Sequence, residues 1–399
     1  MRHIRTILLA CAAIAGAAML CGCSKSEGGL GFSGKIQFGM VSRGGQATKT
    51  VYGDDVTSGG KKYQRLDWVK GDVVTIASPQ AIVQNDPNKA HASNYVISQV
   101  LDPVAGDPQR RAKVVNEAAN GLMWLDNIKT YDFYAIYPKA FSEENASISL
   151  TPDGAVSAKI PGEQTNTVSD NTKKSKDESV TYTIYEPDMK YAFMTGALYE
   201  FEPESNTTTV PIIFNPAFTA FEFNVSSQDD DPIEITEIQL EAQGPDVLTG
   251  SFSMNLAKDA DKSVQASGAN TATLKTTTEE ETEVDGETVK TTKGVTVTAT
   301  EGASFTLFTL PKDNTQALKL RVTSKDGAAT KTSYVMLTYA KEGKDLDAET
   351  THAAKTPVVF KAGHKYRINM LKLPSSQWKI TISVHLEPWE TGEETVIYI

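Results

Sequence analysis

The sequence predicts an all-β protein made of antiparallel β-sandwiches, and two observations lead to this fold class. Apolar and polar residues alternate in many short stretches, which is the pattern of strands that bury one face. Turn-forming sequences such as Asp153-Gly154 and Lys325-Asp326-Gly327 separate these stretches, whereas apolar patterns with the 3.6-residue period of a helix are scarce. Many short strands without alternating helices favour antiparallel sandwiches over a parallel sheet.

The chain begins with a segment that predicts a lipoprotein signal peptide, residues 1–22. Basic residues precede an apolar stretch at 7–20, and the lipobox Leu20-Cys21-Gly22-Cys23 follows directly. A membrane-spanning helix needs about 20 apolar residues, which is more than this stretch contains. Cys23 is the predicted lipidation site because the small Gly22 precedes it, whereas the bulkier Leu20 precedes the alternative, Cys21. An acyl anchor such as palmitate on Cys23 would attach the protein to the cell outer membrane.

Cysteine usage and charge exclude several classes of protein. The three cysteines stand at positions 11, 21 and 23, so only Cys23 would remain after removal of the signal peptide. No disulfide or thiolate metal site can then form within one subunit, and a hydrophobic core must supply the stability. The formal net charge of -11 at pH 7 repels phosphate backbones and argues against nucleic acid as a partner.

Further along the chain, strands are predicted where the alternation is clearest. Apolar residues alternate in 221–225, 318–322 and 366–370. The most regular strand places five apolar residues on one face, namely Trp378, Ile380, Ile382, Val384 and Leu386. The segment from Arg110 to Asn127 is the only one compatible with a helix of some length. The polar stretches 161–179 and 275–293 predict exposed loops or long hairpins.

The chain of 399 residues is long enough for two domains. A short polar link, residues 203–209, precedes an apolar strand and predicts a boundary there. We expect an N-terminal β-sandwich domain at 44–205 and a C-terminal β-sandwich domain at 206–399. Both would follow the lipidated N-terminal segment 23–43.

The sequence contains no recognisable catalytic or cofactor-binding site. No nucleophile-elbow, dinucleotide-binding or phosphate-loop pattern occurs, and the four histidines after the signal peptide lack the spacing of a metal pair. The carboxylate runs 229–231 and 279–281 lack the spaced oxygens of a calcium loop and are typical of solvated turns. The tryptophans are better explained as core or rim residues than as a sugar-stacking platform; they are Trp68, Trp124, Trp378 and Trp389. We therefore expect no catalysis, no metal and no cofactor.

Several segments, spread over nearly the whole chain, share their order with a known family. They are Ile36-Gln37-Phe38-Gly39 before Ser42-Arg43-Gly44; Trp68-Val69-Lys70-Gly71-Asp72-Val73-Val74; Asp132-Phe133-Tyr134-Ala135-Ile136-Tyr137-Pro138; Val210-Pro211-Ile212-Ile213-Phe214; Ala362-Gly363-His364-Lys365-Tyr366-Arg367-Ile368; and the closing Trp378 strand with Pro388-Trp389. Together with the lipobox, they resemble the fimbrillins, the pilin-like lipoproteins of Bacteroidetes. The resemblance implies two transthyretin-like or immunoglobulin-like β-sandwich domains in tandem, which agrees with the strand pattern.

The resemblance also implies a route of assembly. It implies export as a lipoprotein, followed by a cut from an Arg-specific protease just after the first strand, which is then lost with the anchor. The matching positions are Ile36 to Val41 for the removable strand and Arg43-Gly44 for the cut, which stands among Ser, Gly and Gln residues that we expect to be flexible. Arg65 is the alternative cleavage site, and it lies close to a predicted strand.

Loss of the first strand would open a groove that a strand from the next subunit refills. The candidate donor is the tail, residues 393–399. In an extended tail, Thr395, Ile397 and Ile399 lie on one face and Val396 and Tyr398 on the other. The alternative is that these residues close the protein's own C-terminal sheet.

The sequence thus predicts a structural subunit of a surface fimbria, or pilus, that supports adhesion. Its partners would be other fimbrial subunits, in a homopolymer or a mixed fimbria. The alternative is a surface lipoprotein adhesin or glycan-binding protein, at the tip or the anchor, that contacts a host or bacterial surface ligand. A shaft subunit needs a C-terminal donor strand and a tip subunit does not, so the apolar tail favours the shaft.

Overall fold

The computed structural model describes residues 34–42, 51–58, 61–86, 88–102, 110–118, 120–126, 128–229, 231–284, 287–313, 317–339, 342–344, 351–374, 377–386 and 390–398. The predicted signal peptide, Cys23, the Arg43-Gly44 cleavage site and Ile399 lie outside these ranges. The described residues form strands and one short 3₁₀ helix, Met189–Tyr191, without an α-helix, so the all-β prediction is confirmed. Within these ranges, no helix has the length and apolar character needed to cross a membrane.

The strands are numbered in chain order. The first ten are β1 Gly34–Lys35, β2 Gln37–Ser42, β3 Val51–Ser58, β4 Lys61–Asp67, β5 Val73–Ala77, β6 Ile82–Val83, β7 Ala92–Val100, β8 Arg110–Asn116, β9 Leu122–Trp124 and β10 Tyr131–Tyr137. The next eleven are β11 Phe141–Ser142, β12 Ser147–Leu150, β13 Ala155–Ile160, β14 Glu163–Lys174, β15 Thr181–Pro187, β16 Met194–Phe201, β17 Thr209–Pro216, β18 Thr219–Ser227, β19 Ile233–Ala242, β20 Thr249–Asn255 and β21 Gln265–Ala269. The last eleven are β22 Thr271–Lys275, β23 Thr277–Val284, β24 Glu287–Val297, β25 Glu301–Thr309, β26 Leu318–Asp326, β27 Ala329–Met336, β28 Gly343–Lys344, β29 Thr351–His352, β30 Lys365–Lys372, β31 Trp378–Leu386 and β32 Glu390–Tyr398.

A closed barrel forms most of the N-terminal half, in the strand order β10-β16-β17-β2-β8-β7-β5. Aromatic side chains fill its interior. The Trp68 ring packs edge-on against Phe214 and Tyr137, with ring centroids 5.1 and 5.6 Å apart. Because a closed barrel has no free edge, each of its strands is held by main-chain hydrogen bonds on both sides.

A large sheet forms most of the C-terminal half, with β18 at its centre between β25 and β30. All nine residues of β18 are buried, so both faces of this strand are covered. The four strands predicted from alternation are present as β18, β26, β30 and β31. In β31 the apolar residues Trp378, Ile380 and Ile382 are buried, as predicted.

Some neighbouring strands run parallel, in contrast to the purely antiparallel sheets that the turns predict. The parallel pairs among the described strands are β2–β17, β14–β22, β15–β25 and β18–β30. Each joins strands that are far apart in the sequence, so the hairpin-like turn signals carry no information about them.

The buried residues form two hydrophobic cores. Along β18, the residues change from one core to the other. Ala220 belongs to the core of the barrel and Phe221 to the core of the C-terminal sheet. Strand β17 follows the predicted boundary at 205/206, yet it pairs with β2 and β16 of the barrel. Strand β13 likewise pairs with β20 in a five-stranded sheet. Sheet pairing therefore continues across 205/206, and the limits 44–205 and 206–399 stay a prediction.

The segment from Arg110 to Asn127 forms strands rather than the helix that its sequence allows. It contains β8 and β9, and β8 lies between β2 and β7 in the barrel. Pairing on both sides of β8 outweighs a weak local preference. The two polar stretches lie in long hairpins, as predicted, because β14 pairs with β15 and β23 pairs with β24 in antiparallel fashion.

Candidate strand-exchange site

The predicted removable strand is an interior strand of the barrel. It begins one residue later than expected, as β2, and pairs in parallel with β17 and antiparallel with β8. Just before it, the N–H of Ile36 donates a hydrogen bond to the Leu122 carbonyl at 2.9 Å. Without β2, both β17 and β8 would have an edge of unpaired N–H and C=O groups.

One face of this segment fills the core of the barrel. Ile36 and Phe38 are each 4% exposed and Met40 is fully buried, whereas Gln37 between them is exposed. The difference arises because successive side chains of an extended chain point to opposite faces. Removal of the segment would therefore open a groove with three apolar pockets.

Phe38 occupies the best defined of these pockets. Its ring packs edge-on against Tyr95 and Phe133, with ring centroids 4.9 and 5.3 Å apart. The Tyr95 hydroxyl accepts a hydrogen bond from the Leu122 N–H at 2.9 Å, which holds the tyrosine ring in place. Burial raises the pKa of Tyr95 above its usual value despite this hydrogen bond, so the phenol is neutral. A replacement strand must bring a large apolar side chain to this position.

The structure describes the surroundings of one of the two candidate cleavage sites. Arg43, outside the described residues, follows directly after Ser42, the last residue of β2. A cut there would detach β1 and β2 together. Arg65 lies within β4, which pairs with β3 in an antiparallel hairpin. Since proteases act on open segments, this pairing counts against a cut at Arg65, and both sites stay predictions.

The tail lies in the protein's own C-terminal sheet as β32, which is the arrangement of the alternative prediction. It pairs antiparallel with β31, with Ile397 opposite Ile380 and Thr395 opposite Ile382. Its other edge pairs with β4 through Glu390 and Tyr63. Use of this strand as a donor requires that it leave β31, and the donor role of Thr395, Val396, Ile397, Tyr398 and Ile399 stays a prediction.

The tryptophans do not form an exposed platform. Trp68, Trp124 and Trp378 are each 1% exposed, and Trp389 lies outside the described residues. The core assignment is confirmed for the three buried rings, which cannot stack on an external sugar. In the described part of the chain, no group of three or more His, Cys, Asp or Glu residues is placed to hold a metal ion.

Sequence reasoning missed a buried ion cluster in the C-terminal sheet. The Glu222 carboxylate lies 2.6 Å from Lys365 Nζ, 2.5 Å from Arg367 Nε and 2.8 Å from Lys173 Nζ. Burial by itself raises the pKa of Glu222, but the three cations outweigh burial and hold this pKa well below its usual value. Burial also lowers the pKa of Lys365 to about 8, although Glu222 acts in the opposite direction. The sequence feature that could have indicated this cluster is the position of Glu222 between two apolar residues of a predicted strand, Phe221 and Phe223.

Comparisons with known proteins give similarity in structure but not in sequence. No family model matches the chain, and no curated protein matches it in sequence. The chain is similar to crystal structures of candidate cell adhesion proteins from Bacteroides uniformis (13% identity, TM-score 0.43, 92% of this chain and 97% of that chain) and Bacteroides ovatus (14%, 0.42, 91% and 97%). It is also similar to the tip fimbrial protein Mfa3 from Porphyromonas gingivalis with C-terminal truncation (9%, 0.32, 92% and 98%).

Proposed function

We propose that the protein is a structural subunit of a cell-surface fimbria that supports adhesion. In this proposal it is exported as a lipoprotein with its anchor on Cys23, trimmed after Arg43 and polymerised by strand exchange. The position of β2 gives the main support: it is an interior strand with a buried apolar face, and it directly precedes Arg43, the predicted cleavage site.

The energetics of the groove explain why polymerisation would follow the cut. Each apolar side chain of the lost segment contributes about 1.5–3 kcal/mol when fully buried, and the main-chain hydrogen bonds to β17 and β8 are lost as well. An incoming strand recovers both contributions if it runs parallel to β17 and antiparallel to β8, as β2 does. The neighbouring subunit is therefore the expected source of a replacement.

The tail supplies the spacing that the groove requires. Ile36, Phe38 and Met40 alternate with residues on the opposite face, and Thr395, Ile397 and Ile399 repeat this spacing of two. The tail has to leave β31 before it can insert, so the exchange replaces pairing within one subunit by pairing between two subunits.

The N-terminal sequence of protein sheared from the cell surface tests this proposal. We expect the sheared protein to begin at Gly44, and we expect Arg43→Ala to abolish this cut while Arg65→Ala, the matched control, leaves it in place. A sheared protein that begins after Arg65 would move the cleavage site. Mature protein that keeps lipid-bearing Cys23 in every surface fraction would favour an anchor subunit instead of a shaft subunit.

A further inference from the structure

A cavity of about 340 Å³ lies in the C-terminal half, away from the groove of β2. The tip of the β14–β15 hairpin, residues 175–180, forms one wall. The opposite wall consists of residues from β18, β30 and β31. Its volume is at the lower end of the range of about 300–1,000 Å³ that is typical of small-molecule sites.

The hairpin wall presents an ordered carboxylate. Asp177 Oδ1 accepts hydrogen bonds from the Ser175 hydroxyl at 2.6 Å and from the hydroxyl and N–H of Ser179 at 2.8 and 3.3 Å. These hydrogen bonds, that of Ser175 first, lower the pKa of Asp177 to about 2, so the group is ionised at neutral pH. Because Oδ1 takes all three, Oδ2 keeps its capacity to accept hydrogen bonds from a ligand.

The sheet wall presents an oriented amide. Asn369 Oδ1 accepts a hydrogen bond from Asn224 Nδ2 at 2.8 Å, which leaves Asn369 Nδ2 as a donor. Asn224 is 5% exposed, and within the described structure its Oδ1 has no hydrogen-bond partner. Asn224 itself is not among the lining residues; its role is to orient the amide of Asn369, which lines the cavity.

Tyr182 also lines the cavity, and Gly302 leaves room for its ring. A Cβ at Gly302 would lie 2.4 Å from Tyr182 Cδ1, so a side chain at position 302 would displace the ring. In its observed position the Tyr182 side chain hydrogen-bonds to that of Ser226, and both residues line the cavity. Val180 and Met370 add an apolar surface beside these polar groups.

We propose that this cavity binds a neutral saccharide unit. Hydroxyl groups, one amide donor and one carboxylate acceptor match the hydroxyls of a sugar ring, and the apolar surface matches its C–H face. Asp177 and Lys379 both line the cavity and carry opposite formal charges, so a neutral ligand matches its walls better than a phosphate or another anion. The volume of about 340 Å³ suits a single sugar unit.

Saturation-transfer NMR tests this site on the untrimmed protein without its signal peptide, in which β2 still closes the barrel. The probes are the methyl glycosides of galactose, glucose, mannose and N-acetylglucosamine at millimolar concentration. We expect at least one glycoside to bind, and we expect Asn369→Ala and Asp177→Ala each to weaken its binding by about tenfold or more, which corresponds to the loss of a hydrogen bond to a charged or buried group.

Asp261→Ala is the matched control, because Asp261 also accepts hydrogen bonds from the residue two positions later, Ser263, but lies outside the cavity. This variant should bind as the wild type does. Asp177 is exposed, so its variant should fold normally even if Asn369→Ala does not. Absence of binding by all four glycosides, or binding that Asp177→Ala leaves unaltered, would overturn the proposal. Because the measurement uses unpolymerised protein, a defect in fimbria assembly does not affect its outcome.

Discussion

Glu222 carries a negative charge into the interior of the C-terminal sheet, where it contacts Lys173, Lys365 and Arg367. Replacement by the neutral Gln leaves the fully buried Lys365, together with the partly exposed Lys173 and Arg367, beside an uncharged partner. We therefore expect Glu222→Gln to lower the free energy of unfolding by about 3–5 kcal/mol, as measured by denaturant unfolding. Glu241→Gln is the control: the Glu241–Lys319 pair is 3.2 Å apart but partly exposed, and its loss should cost about 1 kcal/mol or less.

The same residue predicts a pH dependence. The pKa of Glu222 is lower in the folded state than its unfolded value of about 4.3, so its contribution to stability is complete above that value. The contribution is lost as the pH falls through the lower folded-state pKa. Unfolding curves of the wild type and Glu222→Gln should consequently converge as the pH falls below about 4, and an unaltered gap down to pH 2 would contradict the ion cluster.

Ile382 and Thr381 are neighbours on β31 with different surroundings. Ile382 is fully buried and packs in the second core, whereas Thr381 is only half-buried on the other face. We expect Ile382→Ala to cost about 2–5 kcal/mol because it leaves a cavity, and Thr381→Ala to cost about 1 kcal/mol or less. Denaturant unfolding measures both, and equal losses would mean that the two faces of β31 are buried alike.

The predicted role of Cys23 is to carry the lipid anchor on its thiol. If its thiol carries the lipid, Cys23→Ala should give an unacylated precursor that fails to reach the outer membrane. Labelling of cells with radioactive palmitate measures this directly. Incorporation at the wild-type level in the variant would disprove the assignment and direct attention to Cys21.

A substitution in β2 should affect the precursor and the assembled fimbria differently. Phe38→Ala should lower the stability of the precursor by about 3–5 kcal/mol, because the ring packs against Tyr95 and Phe133 in the barrel. Assembled fimbriae should keep their wild-type stability, since Phe38 leaves with the cleaved segment. Gln37→Ala, on the exposed face of β2, is the control and should alter neither. Fimbriae that are destabilised by Phe38→Ala would show that β2 stays in the polymer.

Some strands can be predicted from their own residues, whereas others can be recognised only from the strands that pair with them. Alternation identifies β26, β30 and the described part of β31 because buried residues alternate there with partly buried, mostly polar ones. It says little about β8, whose identity as a strand depends on β2 and β7 beside it. The parallel pairing of β2 with β17 cannot be predicted from local sequence either, since about 170 residues separate the two strands and turn sequences indicate only pairing between neighbours along the chain.

The same reasoning applies to the sites. The face formed by Ile36, Phe38 and Met40 is predictable because it depends on period two alone. The Glu222 cluster is not, because Lys173 is 49 residues away in the sequence and reaches Glu222 only through the folded hairpin. The saccharide cavity depends on a contact of the same kind, between the hairpin tip and the face of a distant sheet.

In the whole molecule, strand exchange would involve both ends of the chain. Arg43→Ala should block the cut, so that β2 stays in the barrel and the groove never opens. Deletion of 395–399 should permit the cut but remove the donor side chains, so that the groove opens and stays empty. The first variant should therefore accumulate as a larger, lipid-bearing monomer, and the second as a trimmed, aggregation-prone monomer.

SDS gels of unboiled surface material, together with electron microscopy, distinguish these two defects. The wild type should give a ladder of polymers and visible filaments.

A mixture of the two variants gives a further test. The Arg43→Ala protein has a tail but a closed groove, so it can only donate a strand, whereas the tail-deleted protein has an open groove but can only accept one. The mixture should therefore yield dimers without filaments. A normal ladder from the tail deletion alone would remove the donor role from β32 and leave this strand as the closing strand of its own sheet, opposite β31.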